Sequence, residues 1–553
     1  MTDKSILIDS EIFPSSEPSD QDGSAGFSPD QNADLSGQPV PGGERKVVTP
    51  VPTTNPNTPQ PPAARTDNPR SIVNGQGGPL YGHTVHGNTA PRQQTQAPQA
   101  AYPQSHSAKN PYSQTQAPQT TPPAPQPANN PYLQTQAPQT TPPVPQPQKA
   151  PLSNDDVIAH TASLWKYIPV PQDEPEPYKE YISGTVDYPS SRIIAARVRG
   201  KKHKHEGTNC DDWFSVANLE KITFVAVSDG AGSRVFSRIG AKESCKAAIH
   251  YLIDGFKKVL ADNHALKNHM TLPLQDPRCI EACSIFAGLV QQSVIAAYEA
   301  VEAAYEARKD NPAYRKVLGR ELEFKDFSGT LLIAVLIPVS KSTKEHLVIT
   351  CQIGDGMIAI LNSQSEFSGS VKLMGEPDSG DFSGQTDFLT SEKMKKIETL
   401  QSRTKISRTL VDTVMMMSDG VADDYFPNET QMHRLYFDLI VNGILDRGPH
   451  NLNMSKIPPE QVTLLKRVPD PMAHPWVNDQ TVKVPIQYTS RILEATGLTL
   501  EDLWKDQTIL AWARQEVVKA GASTDPSERL KTWLDNYVER GSFDDRTLVI
   551  VTM

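Results

Sequence analysis

The sequence predicts an α+β layered domain behind a long disordered tail, and three observations carry that prediction. Of 48 prolines, 28 fall in residues 1–150. Beyond them, strand-forming runs stand on either side of a helical block, with no repeating strand–helix–strand alternation. Acidic turns adjoin the apolar runs. Phe224-Val225-Ala226-Val227-Ser228-Asp229-Gly230 is one and Val414-Met415-Met416-Met417-Ser418-Asp419-Gly420 another; Asp544-Asp545 leads into Thr547–Val551.

Residues 1–150 are rich in Gln, Thr, Ser, Asn and Ala and poor in aromatic and branched apolar residues. Such a segment cannot bury enough apolar surface to offset its ordering entropy. Asn110-Pro111-Tyr112-Ser113-Gln114-Thr115-Gln116-Ala117-Pro118-Gln119 recurs twenty residues later at Asn130-Pro131-Tyr132-Leu133, with a worn copy at Gln94–Gln99. Nothing apolar repeats that could stack into a solenoid. The repeats read as an extended linker or as a docking strip for a proline-recognising partner. Residues 151–186 read as linker and 187–553 as the folded part.

The net charge of −10, without a basic stripe, argues against a nucleic-acid binder. Five scattered cysteines, Cys210, Cys245, Cys279, Cys283 and Cys351, suggest reduced thiols and a cytoplasmic setting. The first residues show no apolar signal segment, and no run of about 18 apolar residues predicts a membrane span.

In chain order, Arg192–Val198 and Ile222–Val227 read as strands. Ser237–Leu260 changes to helical period through Ile239, Cys245, Ala248, Ile249, Leu252, Ile253 and Phe256. Cys279–Arg308 is an Ala-rich helix that Asn311-Pro312 should end. Strands return at Thr330–Val339, His346–Ile353, Met357–Leu361, Thr413–Met417 and Thr547–Thr552. Asn362–Gly384 reads as loop. Ser490–Val538 reads as helix, with Trp504, Leu510, Trp512, Val517, Leu530 and Trp533 as core candidates.

Taken singly, each acidic position is ordinary. Asp-Gly after a strand is a common turn, and Gly354-Asp355-Gly356 between two strands has the form of a hairpin turn. Asp211-Asp212 and Asp544-Asp545 fit exposed loops. The recurrence is what matters. Five acidic sites flank five strands, and carboxylates gathered in one cleft need a cation to offset their repulsion. Hard oxygen ligands would suit Mg²⁺ or Mn²⁺ and metal-assisted hydrolysis.

The ordered set resembles the protein phosphatase 2C family of metal-dependent Ser/Thr phosphatases, most nearly its bacterial branch. The matching residues are Gly200, His203, Gly207 and Cys210-Asp211-Asp212; Val227–Gly232; Ser237–Ala241; Phe327-Ser328-Gly329-Thr330; Gln352–Gly356; Gln385–Thr390; Met417–Asp423; and Phe543–Thr547. The resemblance covers roughly 187–553. It implies two packed antiparallel sheets flanked by helices, a four-layer sandwich. It implies two Mn²⁺ or Mg²⁺ ions, with a weaker third in some members. Asp229 would bridge both ions with the carbonyl of Gly230 on one, and Asp419 and Asp544 would bind the other. Asp212 would hold a coordinated water, while Asp355 and Asp423 match third-ion positions. The implied activity is hydrolysis of phosphoserine and phosphothreonine by direct attack of a metal-bridging water, without a phosphoenzyme. A non-turning-over phosphoprotein-binding module is the alternative.

Two departures stand out. The phosphate-binding arginine of many members falls at Gly207, leaving His203, Lys204 and Arg199, in or beside the cationic run Lys201-Lys202-His203-Lys204-His205, as substitutes. The histidine that follows the Asp-Gly turn in many eukaryotic members is Ala231 here. A connection at about 427–540, longer than the family's usual one, reads as a lid, a docking surface or added outer helices. By analogy with bacterial signalling relatives, the substrate would be a partner Ser/Thr kinase or its phosphorylated target, with the tail as tether.

Overall fold

The computed structural model describes residues 6–9, 166–340, 343–376, 387–425, 429–448, 452, 455, 457–469, 488–519, 523–536 and 543–553. Contacts divide the chain into two units, 1–21 with 148–553, and 22–147; the second unit and its repeats lie outside the described residues.

Among the described residues twelve strands form the frame: β1 (Ile6–Asp9), β2 (Tyr181–Asp187), β3 (Arg192–Val198), β4 (Trp213–Leu219), β5 (Ile222–Ser228), β6 (Leu331–Pro338), β7 (Glu345–Ile353), β8 (Met357–Leu361), β9 (Val371–Leu373), β10 (Thr404–Leu410), β11 (Thr413–Met417) and β12 (Arg546–Thr552). They make two six-stranded antiparallel sheets, ordered β1-β4-β5-β6-β7-β10 and β2-β3-β12-β11-β8-β9.

The period of two along each strand assigns the layers. In the second sheet Ile193, Ala195, Ile358, Ile360, Val414, Met416, Val549 and Val551 face the core shared with the first sheet. Their neighbours Ile194, Ala196, Met357, Ala359, Met415, Met417, Leu548 and Ile550 face a separate core. Both sides of these strands are therefore buried, which explains their near-continuous apolar runs.

Helices Ser237–Asp262 and Pro277–Glu306 cover the first sheet, with Phe224, Phe256 and Phe286 in ring contact between them. By length and composition Pro277–Glu306 could cross a membrane; half of its most apolar window is buried here, packed against Ser237–Asp262. The second sheet is covered by Glu429–Val441, Tyr488–Thr496, Leu500–Lys505, Thr508–Lys519 and Pro526–Asn536. In the long connection, Leu503, Leu510, Val517, Leu530 and Trp533 join the second core.

Several elements differ from the sequence expectations. Tyr181–Asp187, assigned to the linker, is strand β2, paired along its length with β3. Ile6–Asp9, inside the expected tail, pairs antiparallel with β4, Ile6 opposite Asn218 and Asp9 opposite Ser215. Trp213–Leu219 and Thr404–Leu410 are strands with no counterpart in the reading. Val371–Leu373 is a short strand inside the expected loop 362–384, of which 377–384 lies outside the described residues.

If the outer helices are part of the domain's stability, Leu530→Ala should cost about 2–5 kcal/mol, as for other buried leucines. Urea unfolding followed by far-UV circular dichroism should shift as one transition. An unchanged main transition would make the helical layer a loose attachment.

Candidate active site

The acidic positions gather at one end of both sheets. Asp229 follows β5, and Asp211-Asp212 precede β4, both in the first sheet. Asp419 opens a short helix after β11, and Asp544-Asp545 precede β12, both in the second. Asp355 joins β7 of the first sheet to β8 of the second, so Gly354-Asp355-Gly356 is a sheet-to-sheet crossover and not a hairpin. Its sharpness needs glycine on both sides: φ is +88° at Gly354 and +92° at Gly356, which side chains rarely adopt.

Carboxylate oxygens of Asp229, Asp355 and Asp419 all lie within 4.8 Å of one another, half-buried. Burial and then the charges of Asp419, Asp212 and Asp544 push the Asp229 carboxyl well above the usual carboxylate range. Burial, then Asp355, Asp212 and Asp544, do the same to Asp419. Asp423 is raised by burial, Asp355 and Asp544. Asp544 stands outside the tight trio yet close enough to act on all three of these groups. Gly230 is buried, bridged to Gly329.

Asp212 is fully buried, and burial with Asp545 lifts it to about 6. Its Oδ2 accepts from Ser418 Oγ (2.8 Å) and Thr547 Oγ1 (2.7 Å). Its Oδ1 has no hydrogen-bond partner among the described residues. A buried carboxylate oxygen without a donor calls for water or a cation. The donor set is all hard oxygen, and the crowded negative charge is what a divalent cation would relieve. The residues thus fit the Mg²⁺ or Mn²⁺ ions that the sequence resemblance implies.

The turn carrying Asp229 is braced by the Phe327–Thr330 segment. Thr330 Oγ1 accepts from Asp229 N (2.9 Å), Thr330 N donates to Asp229 O (2.8 Å), and Ser228 Oγ donates to Thr330 O. Leu389 N donates to Gly329 O (2.9 Å), and Thr390 Oγ1 meets Ser328 Oγ at 2.8 Å, so the segment after 386 steadies the brace. Gln385 and Thr386 lie outside the described residues.

Asp545 lies behind the trio. Its Oδ1 accepts from Gly200 N (2.6 Å) and its Oδ2 from Asp211 N. His203 Nδ1 lies 3.0 Å from Asp545 Oδ2, and His203 Nε2 lies 3.3 Å from Asp544 Oδ1. Burial opposes a charge on His203, but Asp545, Asp211 and Asp544 outweigh it and raise the ring to about 10, so it stands as an imidazolium. Burial likewise opposes Asp545's charge, yet His203 and the two backbone donors hold that carboxyl below its usual range.

The three expected phosphate ligands are engaged elsewhere. His203 is buried between Asp544 and Asp545. Arg199, buried, donates to Glu180, Ile168 O and His203 O. Lys204 pairs with Asp535. The sequence reading assigned no role to Lys202. A Cβ placed on exposed Gly232 would lie 3.7 Å from Lys202 Nζ and 3.9 Å from Asp544 Oδ2, which sets this amine at the mouth of the acidic cluster. The lysine–histidine run was visible in sequence; which of its members faces the cluster depends on the helix Lys201–Glu206.

The repulsion can be measured. In EDTA, Asp419→Asn should melt higher than wild type by roughly 2–4 °C, about 1 kcal/mol in a domain of this size. Mn²⁺ should raise the wild-type midpoint and move the variant much less. A variant that melts lower in EDTA would contradict this.

The profile described as protein phosphatase 2C matches residues 199–454. No curated protein matches the chain significantly. Solved structures similar to it include a bacterial serine phosphatase (10% identity, 65% of this chain and 96% of that one, TM-score 0.27). Another is a serine-threonine phosphatase 2C from Toxoplasma gondii (13%, 68% and 99%, TM-score 0.33). A third is the serine/threonine phosphatase Stp1 from Staphylococcus aureus (10%, 69% and 97%, TM-score 0.26). Likenesses of that identity and score bear no functional weight, and the family match spans the segment from Arg199 through the acidic turns at Asp229, Asp355 and Asp419. Over residues 199–454 the chain is similar to the protein phosphatase 2C family.

Proposed function

We propose that the chain is an active metal-dependent phosphatase of phosphoserine and phosphothreonine in proteins. The observation that carries this is the trio Asp229, Asp355 and Asp419 with their carboxylates within 4.8 Å, ringed by Asp212 and Asp544. Asp229, Asp419 and Asp544 would hold two Mg²⁺ or Mn²⁺ ions with the carbonyl of Gly230; Asp355 and Asp423 would serve a third. Such ions, when bound, supply a water of lowered pKa and neutralise phosphoryl charge.

The chain's own groups have distinct tasks. Asp212 offers its unpartnered Oδ1 towards the cluster while Ser418 and Thr547 hold its other oxygen. His203, as an imidazolium, fixes Asp544 and Asp545 and keeps its charge away from the substrate. Lys202 takes the part of the missing arginine, drawing the phosphate towards the acids. Ala231 has no proton to give, so the leaving alkoxide takes its proton from solvent in the half-open cleft. The reading includes a reducing compartment such as the cytoplasm, supported by five buried cysteines that form no disulfide. It also includes a tail that delivers the domain to a phosphorylated partner, a kinase or its target.

Hydrolysis of p-nitrophenyl phosphate should require Mn²⁺ or Mg²⁺ and fall at least about 100-fold in Asp229→Asn and Asp419→Asn. Lys202→Ala should raise KM about tenfold with a smaller change in kcat, the loss of one charge-assisted contact. A folded wild type with no activity in either metal would instead make this a phosphoprotein-binding module.

A further inference from the structure

A cavity of about 920 Å³ opens at the opposite end of β12 from the acidic cluster. Thr552 lines it, whereas Asp544 and Asp545 precede Arg546 at the other end. Seven strand residues separate the two places by roughly 20 Å.

Its charge is one-sided. Arg192, Arg447, Arg514 and Arg529 line it, against Asp446 as the one acid among the described residues of the wall. Asp446 pairs with Arg514 at 3.0 Å, but its side chain is 68% exposed, so it lies at the rim. Arg192 pairs at 3.2 Å with Asp187, 73% exposed. Arg529 is 8% exposed. Among the described residues it meets only backbone carbonyls: Ser523 O from Nε and Asn442 O from Nη1, the latter at 3.5 Å. Burial and the charge of Arg514 depress its pKa. A desolvated guanidinium that faces a like charge and, among the described residues, no carboxylate is costly unless an anion completes it.

The backbone is shaped around this arrangement. Gly443 has φ +69°, and a Cβ there would fall 2.0 Å from Arg529 Nη1. The positive φ favours glycine at this helix end, and the missing Cβ leaves the guanidinium its present place. Apolar surface in the wall comes from Leu452, Val518 and Met553, while Ile444 and Leu445 are buried beneath it. The volume lies in the range of small-molecule sites, which combine an apolar wall with a few charged groups that orient the ligand.

We infer that this cavity is a second ligand site, for a small organic polyanion of nucleotide size. Its phosphate groups would bind the arginines and its ring or apolar body would lie on Leu452, Val518 and Met553. The inference does not depend on phosphatase activity. β3 and β12 run from this cavity to Gly200 and Asp545, so a ligand here touches the strands that carry the acidic loops.

The test is calorimetric titration of ATP, and separately pyrophosphate, into the full chain with EDTA present, so that cations at the acidic cluster play no part. ATP is expected to bind, and more tightly than pyrophosphate. Arg447→Gln and Arg529→Gln should each weaken ATP about tenfold or more, while Asp229→Asn should leave it unchanged. Arg447 is only half-buried, so its variant keeps the test alive if Arg529→Gln fails to fold. No binding at millimolar ATP, or equal affinity in a folded arginine variant, would overturn the site. Equal affinity for pyrophosphate and ATP would overturn the role of the apolar wall.

Discussion

The carboxylate of Asp545 is the joint on which the site depends. It collects the backbone N–H of Gly200, the backbone N–H of Asp211 and the ring of His203. Those groups come from the end of β3, the approach to β4 and the helix between them, while Asp545 itself immediately precedes β12. One side chain therefore ties a loop of the first sheet to two loops of the second. Burying a carboxylate costs several kcal/mol. Two charge-assisted hydrogen bonds at about 1.5–3 kcal/mol each, with the facing imidazolium, can offset that cost. Asp545 stays ionised and low while the acids in front of it are pushed up.

That contrast separates structural from functional carboxylates. Asp545 has donors for both oxygens. Asp229, Asp355 and Asp419 face one another, and Asp212 keeps one oxygen without a donor. The fold forces this crowding. Two sheets place the ends of β5, β7, β11 and the start of β12 at one edge, and the sandwich is clamped by helices on both faces. The core between the sheets and the core under the outer helices make up the opposing free energy.

Much of this was legible in sequence. Met357–Leu361 and Thr413–Met417 are strands with the bounds expected, because both lie in the middle of the second sheet and are apolar on both faces. The Asp-Gly turns were legible because a strand that ends on Asp-Gly is locally encoded. Edge and half-exposed strands were not. Tyr181–Asp187 and Thr404–Leu410 carry polar residues on their open faces, and their pairing partners are what make them strands. Ile6–Asp9 is four residues long, and only its register against β4 distinguishes it from its surroundings.

Side-chain roles were less legible than positions. The cluster of Lys201 to His205 announced positive charge without saying which member turned where. The six-residue helix that holds it sends Lys204 to Asp535, His203 to the Asp544-Asp545 pair and Lys202 to Gly232. The form of Gly354-Asp355-Gly356 also misled, since a hairpin turn and a crossover between sheets share the same glycines. Sheet membership decides between them, and it depends on pairings more than fifty residues away.

The most direct test of the joint is Mn²⁺ binding by calorimetry to wild type and Asp545→Asn, with far-UV circular dichroism to confirm that both fold. Asn keeps the shape of the side chain but loses the charge and one acceptor. The account predicts Mn²⁺ affinity at least about tenfold weaker in the variant, although Asp229, Asp419 and Asp544 are untouched. Unchanged affinity in a folded variant would show that the acids converge without Asp545 and would contradict the account.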